Sequence, residues 1–308
     1  METVDAYQEH RSLLFSIAYR MVGSVSEAED IVQETFLRLH RAMGKGTRIE
    51  SPKAYLSTTA TRLAVNHLRS ARVRRERYVG TWLPEPLLTD SSDDAAVERH
   101  AETADSLSLA FLVLLESLSP VERAVFLLRE VFGYGYDEIA RVVGKSEDNC
   151  RQIAVRAHRH IEARRPRFEA SRQQREELAR RFFAAIEEGD TEGLVGMLSA
   201  DAVMYGDGGG KAPALARPIH GRERVARFLL GLARQARRLH ARMEITEING
   251  QPGALGLDRQ GGLLNAFSLD IADGQVQAIR SIVNPDKLRH LGTVTDVTRL
   301  LRERGGGD

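Results

Sequence analysis

The stretch that decides the fold of the first half of the chain runs from residue 119 to 161 and reads SPVERAVFLLREVFGYGYDEIARVVGKSEDNCRQIAVRAHRHI. Ser119, Pro120 and Glu122 form a capping box with proline at the first helical position, which predicts a helix start. Apolar residues then recur at helical spacing until Gly133, and a short second helix is predicted over residues 137–143.

A tight turn and a further helix follow this pair. Gly144 permits the turn, because glycine adopts left-handed backbone angles without strain. Ser146 is the predicted N-cap of the next helix, and two acids occupy its first turn. Two short helices joined by a glycine turn predict a helix-turn-helix.

The last helix has an apolar stripe and a polar face. The stripe contains Cys150, Ile153, Ala154, Ala157 and Ile161. The outer face contains the candidate DNA contacts Asn149, Arg151, Gln152 and Arg156. Arginine and glutamine read guanine and adenine edges in a major groove, and arginine also binds phosphates. An ordinary helical hairpin with a solvated basic face is the alternative, and a repressor or a response-regulator output domain would show the same pattern.

Length and composition exclude several classes of protein. The chain has 308 residues, 42% hydrophobic and 28% charged, which indicates two or three globular domains. No apolar run is long enough to span a bilayer and no signal-peptide core is present, so we expect a cytoplasmic protein without a membrane partner. The net charge is only +1, so DNA binding requires charge that is segregated along the chain.

The single cysteine, Cys150, allows neither an intrachain disulfide nor a cysteine metal cluster. This fits a reducing cytoplasm. A redox-sensor role is disfavoured, since an apolar setting raises a thiol pKa. We expect no cofactor and no metal.

Residues 5–77 predict an N-terminal helical block. A capping box from Ser26 to Glu29 is expected to open a helix over residues 28–43, and Ser51 followed by Pro52 is expected to start another. Near the edge of the apolar face of the earlier helix lie Asp30, Gln33 and Glu34.

The later helix of this block has a basic face. Arg62, Asn66 and Arg69 form one row, and the helix continues into a basic cluster that includes Arg72. A charge run is usually a solvated face. Because this one extends an arginine and asparagine row on a helix, phosphate contact is favoured.

A linker is predicted over residues 78–106. It contains Trp82-Leu83-Pro84-Glu85-Pro86, where two prolines exclude a helix interior. The one tryptophan of the chain lies here, which predicts that the linker docks on another part of the protein. Seven acids and one arginine follow between residues 85 and 105, so the segment resembles nucleic acid in charge. A plain solvated linker is the alternative.

These segments together resemble an extracytoplasmic-function (ECF) sigma factor of the sigma-70 family. The resemblance rests on AEDIVQETFLRLHR at 28–41, SPKAYLSTTATRLAVNHLRSARVRRE at 51–76, the acidic linker, and the stretch quoted first. It implies sigma region 2 at residues 1–77 and sigma region 4 at 107–165, which bind the clamp and flap of core RNA polymerase and promoter DNA without catalysing a reaction.

The resemblance also implies residue roles. Asp30, Gln33 and Glu34 would face the clamp helices of the largest polymerase subunit. The minus-ten element would be melted and read by the 45–51 loop with Arg62, Asn66, Arg69 and Arg72. The minus-thirty-five element would be read by Asn149, Arg151, Gln152 and Arg156. The acidic linker would occupy the RNA path of the polymerase.

Residues 166–308 predict an α+β domain. Helical patterns come first, and from His240 onward the period changes to that of strands. The predicted strands are 241–248, 254–259, 263–271 and 276–283, separated by Asn-Gly, Gly-Gly and Asp-Gly breaks. Helices followed by strands joined in hairpins predict a curved antiparallel sheet.

This domain resembles a SnoaL-like cone of the kind that sigma factors of the sigma J type carry. The marks of that type are WLPEP, DGGGK and NPDKL, and all three are present. The resemblance implies a fused control domain that acts through these motifs. The candidate regulatory residues are Trp82, Pro84, Pro86, Asp207, Gly208, Gly209, Gly210, Lys211, Asn284, Pro285, Asp286, Lys287 and Leu288.

Catalysis by the cone is disfavoured. Asp207, His220 and His240 are the candidates, but Asp207 lies in a glycine loop, expected at a rim, and no paired acid and base stands out. We therefore expect a non-enzymatic protein that is monomeric when free. Whether the cone binds a small ligand stays open. The alternative function is a helix-turn-helix regulator whose C-terminal domain is a small-molecule sensor or a relic enzyme.

Overall fold

Residues 3–75, 78–89, 106–163 and 171–300 are described by the computed structural model. The chain divides into two units, Met1–Arg77 with Leu112–Arg165 and Tyr78–Phe111 with Pro166–Asp308. Most of the predicted acidic run, residues 90–105, lies outside the described residues. None of the described helices is both long and apolar enough to cross a membrane.

The first unit is helical. Its N-terminal part contains α1 (Thr3–Val22), α2 (Val25–Gly44) and α3 (Pro52–Arg75). After α4 (Leu109–Leu115), which begins in the second unit, come α5 (Pro120–Phe126), α6 (Tyr136–Val143) and α7 (Glu147–Glu162). The helices expected from the sequence are present in both sets, and α4 is a helix that the sequence analysis did not predict.

The start of α2 differs from the prediction. Ser24, not Ser26, is the N-cap, and its hydroxyl accepts a hydrogen bond from the Glu27 backbone N–H at 3.2 Å. The reason lies in the preceding turn. Gly23 ends α1 with φ +69°, and Ser24 is already extended, so the next helix begins directly after it.

The helix-turn-helix is formed as predicted. The Ser119 and Glu122 capping box is present, Ser146 caps α7, and Gly144 has φ +67° in the turn. One difference is that α5 passes into a π-helical turn at Leu127–Val131, where the Phe132 N–H donates to the Leu127 carbonyl. Buried Cys150 belongs to the apolar core between α5, α6 and α7.

The second unit contains helices and a sheet. Its helices are α8 (Arg172–Glu188), α9 (Thr191–Met197), α10 (Arg222–Arg238) and α11 (Pro285–Leu288). Its strands are β1 (Leu198–Asp207), β2 (Ile219–His220), β3 (Arg242–Ile248), β4 (Gln251–Leu257), β5 (Leu263–Ala272) and β6 (Gln275–Ile282).

The sheet is mixed, with strand order β2-β1-β6-β5-β4-β3. β3 to β6 form the antiparallel hairpins that the sequence predicts, with turns at Asn249–Gly250 and Asp273–Gly274, where all four residues have positive φ. The pairing of β1 with β6 is parallel, which differs from the expected antiparallel sheet. The chain leaves β1, crosses through α10 and returns through three hairpin strands, so its last strand runs alongside β1 in the same direction.

The interior of the cone is filled by apolar side chains. Phe182 and Phe183 of α8, Leu229 of α10, and Leu269 and Ile279 of the sheet are all buried in one cluster. Alternate residues of the same strands point to the other sheet face, as the period of a strand requires. Helices α8, α9 and α10 therefore pack against one face of the sheet.

Candidate functional site

The face of α7 predicted to read DNA is open to solvent. Asn149, Gln152 and Arg156 are exposed and lie on one side of the helix. Arg151 is also exposed, but its guanidinium lies 3.1 Å from the carboxylates of both Glu147 and Asp148. It also lies 5.2 Å from the ring centroid of Tyr136. Arg151 is thus held by its own helix.

Sequence reasoning missed Val155 on this face. Its side chain is 47% exposed and lies among the polar residues of α7. An apolar group in this position can contact the methyl group of thymine. The available signal was that Val155 falls outside the 150, 153, 154, 157 and 161 stripe.

Arg62 of α3 is bound to the helix-turn-helix. Its Nε donates to the carbonyl of Val142 at 2.9 Å, and its Nη2 donates to the carbonyl of Arg141 at 2.6 Å. These carbonyls end α6, where a helix leaves its last acceptors unpaired and carries partial negative charge. The guanidinium therefore caps α6.

The remaining members of the predicted row have separate positions. Asn66 and Arg69 are exposed on α3, one and two turns beyond Arg62. Arg72 lies on the same helix, but its side chain is outside the described part of the chain. In this structure the guanidinium of Arg62 is hydrogen-bonded to the α6 carbonyls, whereas Asn66 and Arg69 face solvent.

Two further buried contacts join α1 and α3 to the second helical set. The Tyr134 hydroxyl donates to Ser57 Oγ at 2.7 Å, and both residues are buried. Arg123 donates to the Met21 carbonyl at 2.6 Å, and burial lowers its pKa to about 9. The first unit is therefore held together by polar contacts between its two helical sets.

The predicted polymerase face on α2 is partly apolar. Asp30 and Gln33 are exposed, and Glu34 is paired with Arg38 at 2.8 Å, which lowers the pKa of the Glu34 carboxyl. Leu37 lies among these residues with 44% of its surface exposed. It was not singled out from the sequence, although it falls outside the apolar stripe of α2.

The WLPEP, DGGGK and NPDKL motifs meet at a fully buried carboxylate, that of Asp207 at the end of β1. The hydroxyl of Tyr78 donates to it at 2.5 Å, and the Leu83 backbone N–H donates at 2.8 Å. Burial, followed by the hydrogen bond to Asp207, raises the pKa of Tyr78. Asp207 therefore lies beneath the linker and not at an open rim.

Lys287 of the NPDKL motif completes this site. Its ammonium lies 2.7 Å from the Asp207 carboxylate and also donates to the Leu83 carbonyl. It lies 4.5 Å from the ring centroid of Trp82 and 4.8 Å from that of Tyr78, which are cation–π distances. This arrangement explains why the linker carries its one tryptophan here.

The glycines of DGGGK allow close approach. Gly209 has φ +57°, and a Cβ on it would lie 2.2 Å from Asn284 Nδ2. That amide donates to the Tyr78 hydroxyl at 2.9 Å. Lys211 is paired with Asp286 at the surface. The loop therefore has space only for glycine where it contacts the NPDKL turn.

Asn249 binds the linker at Leu87 and the chain directly after the linker at Leu107, and it was missed by sequence reasoning. Its Oδ1 accepts from the Leu87 N–H at 2.9 Å, and its Nδ2 donates to the Leu107 carbonyl at 3.0 Å. Its own N–H donates to the Leu87 carbonyl at 2.8 Å. The sequence signal was read as a hairpin turn, which is correct, but such a turn does not require a buried side chain.

The three catalytic candidates do not meet. Asp207 is bound by the linker, whereas His220 and His240 are exposed at the ends of β2 and α10. A groove of about 610 Å³ lies between the start of α8 and the β5–β6 turn, and none of the three candidates lines it.

Comparison with known proteins agrees with these features. Residues 6–74 match the model of Sigma-70 region 2, residues 108–161 match Sigma-70 region 4, and residues 179–284 match a SnoaL-like domain. The chain is 37% identical over 294 residues to the ECF RNA polymerase sigma factor SigJ of Mycobacterium tuberculosis, with 92% of each chain covered. The chain belongs to the ECF sigma factor family.

Other relatives support the same assignment. The sigma factor is 32% identical over 286 residues to the probable ECF RNA polymerase sigma factor SigI of the same organism, covering 92% of this chain and 93% of that one. The crystal structure of SigJ superposes with a TM-score of 0.73 at 34% identity, covering 93% and 98% of the two chains. The protein is a transcription initiation factor that directs RNA polymerase to promoters.

We predict a strong energetic coupling between Asp207 and Lys287. Asp207→Asn or Lys287→Met alone leaves the other charge buried and is expected to lower the free energy of unfolding by about 3–5 kcal/mol. The double variant is expected to lose clearly less than the sum. Urea unfolding followed by Trp82 fluorescence measures this, since Trp82 lies in the site.

Lys211→Met is the control, because it breaks an exposed ion pair whose loss costs about 0–1 kcal/mol. Additive losses in the Asp207 and Lys287 double variant would contradict the coupling.

Proposed function

We propose that the SnoaL-like domain controls the sigma factor by holding the linker between sigma regions 2 and 4. The observation that carries this proposal is the side chain of Asn249, which binds Leu87 and Leu107 with one amide group. Asp207 and Lys287 hold the linker further upstream, at Leu83.

Chain geometry sets how far apart the linker allows regions 2 and 4 to move. Residues 78–111 would span at most about 110–120 Å if extended. Holding residues 87 and 107 on one amide removes roughly 70 Å of this length. The minus-ten and minus-thirty-five elements lie about 85 Å apart, at about 3.4 Å per base pair. Release of the linker therefore sets whether regions 2 and 4 can reach both elements.

The DNA contacts follow the predicted faces. Asn149, Gln152 and Arg156 of α7, with Val155, read the minus-thirty-five element in the major groove. Arg62, Asn66, Arg69 and Arg72 of α3, with the loop over residues 45–51, melt and read the minus-ten element. Arg62 must first leave the carbonyls of α6, so promoter engagement requires α3 and α6 to separate.

The polymerase contact lies on α2. Asp30, Gln33 and Glu34 surround exposed Leu37, an arrangement of polar rim and apolar centre that is typical of interfaces. We assign this face to the clamp of the largest polymerase subunit, and region 4 to the flap, in the cytoplasm where the polymerase works. Residues 90–105 would follow the RNA path.

Replacing Asn249 by glycine is predicted to change promoter output. Asn249 has φ +55°, which glycine adopts freely, so the variant removes the amide without straining the turn. We expect transcription in vitro with core polymerase to rise, because the linker is released. The matched control is Asp273→Gly, which alters the equivalent hairpin turn, where φ is +53°, at an exposed position.

A truncation after Arg167 provides the second comparison. Two results together support control through the linker. The truncated chain should give an output that differs from wild type, and Asn249→Gly should change the output while the Asp273→Gly control does not. Sigma-dependent transcription that is identical in all forms would contradict it, and would favour a separate ligand-binding role. A ligand role would show as a shift of the melting temperature on ligand addition.

The Arg62→Ala and Arg69→Ala double variant is predicted to abolish promoter opening and to spare polymerase binding, because these side chains lie on α3 and not on the polymerase face of α2. Permanganate footprinting and co-purification with core polymerase measure the two properties separately. Arg172→Ala with Arg180→Ala, on α8, removes the same charge. Equal loss of opening and polymerase binding would exclude the assignment of this face.

Arg156 is predicted to contribute more than Arg151 to minus-thirty-five recognition. Replacing Arg156 by alanine should cost about 1–3 kcal/mol in promoter binding if it contacts a base edge. Arg151→Ala should cost less, since DNA must first displace Glu147 and Asp148 from its guanidinium. Footprint titration of the holoenzyme tests the order, and unchanged protection of the element in both variants would refute the contact.

A further inference from the structure

The helix α10 of the SnoaL-like domain has an arginine stripe, which we define as Arg224, Arg227, Arg234 and Arg238. At 3.6 residues per turn these positions fall within an arc of about 80°. Buried Val225, Ala226 and Leu229 lie on the opposite side of the helix. The stripe therefore faces away from the core of its own domain.

In the described part of the chain, three arginines of the stripe lack the ion pairs that two exposed arginines of α8 form. On α8, Arg172 lies 2.7 Å from Glu176 and Arg180 lies 2.9 Å from Glu177. Among the described residues, the stripe members Arg224, Arg227 and Arg234 are in no ion pair. The single acid of α10, Glu223, is paired with Arg222 at 3.2 Å.

Such an arrangement weakens the isolated helix. Like charges three or four residues apart repel, and a solvated helix face normally mixes the two signs. Since none of the core packing requires arginine at these exposed positions, an anionic partner explains them better than solvation does.

Gly231 lies inside the arc of the stripe. A Cβ at this position would meet nothing within 4 Å, so the fold does not require glycine there. Glycine also weakens a helix interior relative to alanine. Because Gly231 has no side chain, the helix backbone between Arg227 and Arg234 is uncovered, and a partner can approach it closely.

We propose that the arginine stripe binds the phosphate backbone of duplex promoter DNA. Arg224 to Arg234 covers about 15 Å of helix, equal to the rise of about four to five base pairs. Guanidinium groups bind phosphate oxygens bidentately. The contact is independent of sequence and supplements regions 2 and 4, so the domain that holds the linker also contributes to DNA affinity.

The test uses the full chain and a fluorescein-labelled random-sequence duplex of about 30 base pairs. Anisotropy gives the affinity between about 20 and 200 mM salt. In the triple variant Arg224→Gln, Arg227→Gln, Arg234→Gln, the slope of log K against log salt concentration should fall by about 2–3, because each lost phosphate contact removes about 0.9. The control Arg172→Gln, Arg180→Gln, Arg222→Gln removes the same charge from paired arginines and should keep the wild-type slope.

A second variant keeps all four arginines. Gly231→Glu places an acid in the stripe at a position open to any side chain, and it should weaken DNA binding by on the order of tenfold. Gly231→Gln, of the same size, should weaken it much less. Circular dichroism checks that both variants fold.

Three results would overturn the proposal. They are an unchanged salt slope in the triple variant, no binding of the wild-type chain at the lowest salt concentration, or tighter binding by the triple variant. Tighter binding would assign the stripe to the chain's own acidic segment, residues 85–105. If the triple variant keeps the wild-type salt slope and still supports transcription with core polymerase, DNA binding by the stripe is excluded while the sigma function stands.

Discussion

The buried ion pair between Asp207 and Lys287, 2.7 Å apart, is the interaction on which the docking of the linker depends. Either charge alone would be strongly unfavourable in this position, because Asp207 is fully buried and the Lys287 side chain is nearly so. Each becomes acceptable because the linker supplies the missing partners, the Leu83 N–H and carbonyl and the ring of Trp82. The SnoaL-like domain therefore has a polar site that is complete only when the linker is bound.

The same logic applies in the first unit, where Arg62 serves as the cap of α6. Its guanidinium donates to two carbonyls at the end of that helix. Under the proposed function, this cap and the promoter contact would compete for one guanidinium. The buried pair of Tyr134 and Ser57 adds to this contact. The polar groups of this surface are thus paired within the first unit.

Much of the fold could be predicted because local rules decide it. Capping at Ser119 and Ser146, the left-handed Gly144 and the Asn-Gly and Asp-Gly turns all follow from the chemistry of a few adjacent residues. The exposed face of α7 followed from its apolar stripe. The parallel pairing of β1 with β6 could not be predicted, since it joins residues about 75 apart whose alternation is compatible with either direction. The exposure of Leu37 and Val155 and the burial of Asn249 were missed for a related reason, because exposure or burial of one side chain depends on neighbours that are distant in sequence.

The sequence by itself determined the order of the domains, the helix-turn-helix, the WLPEP, DGGGK and NPDKL motifs and the basic and acidic segments, because each is written in contiguous residues. Only the tertiary structure decided that Asp207 is buried under the linker, that Asn249 joins Leu87 to Leu107, and that Arg62 caps α6. These are contacts between residues from 79 to 162 positions apart. Their partners are chosen by the packing of whole elements, which local periodicity and capping rules do not encode.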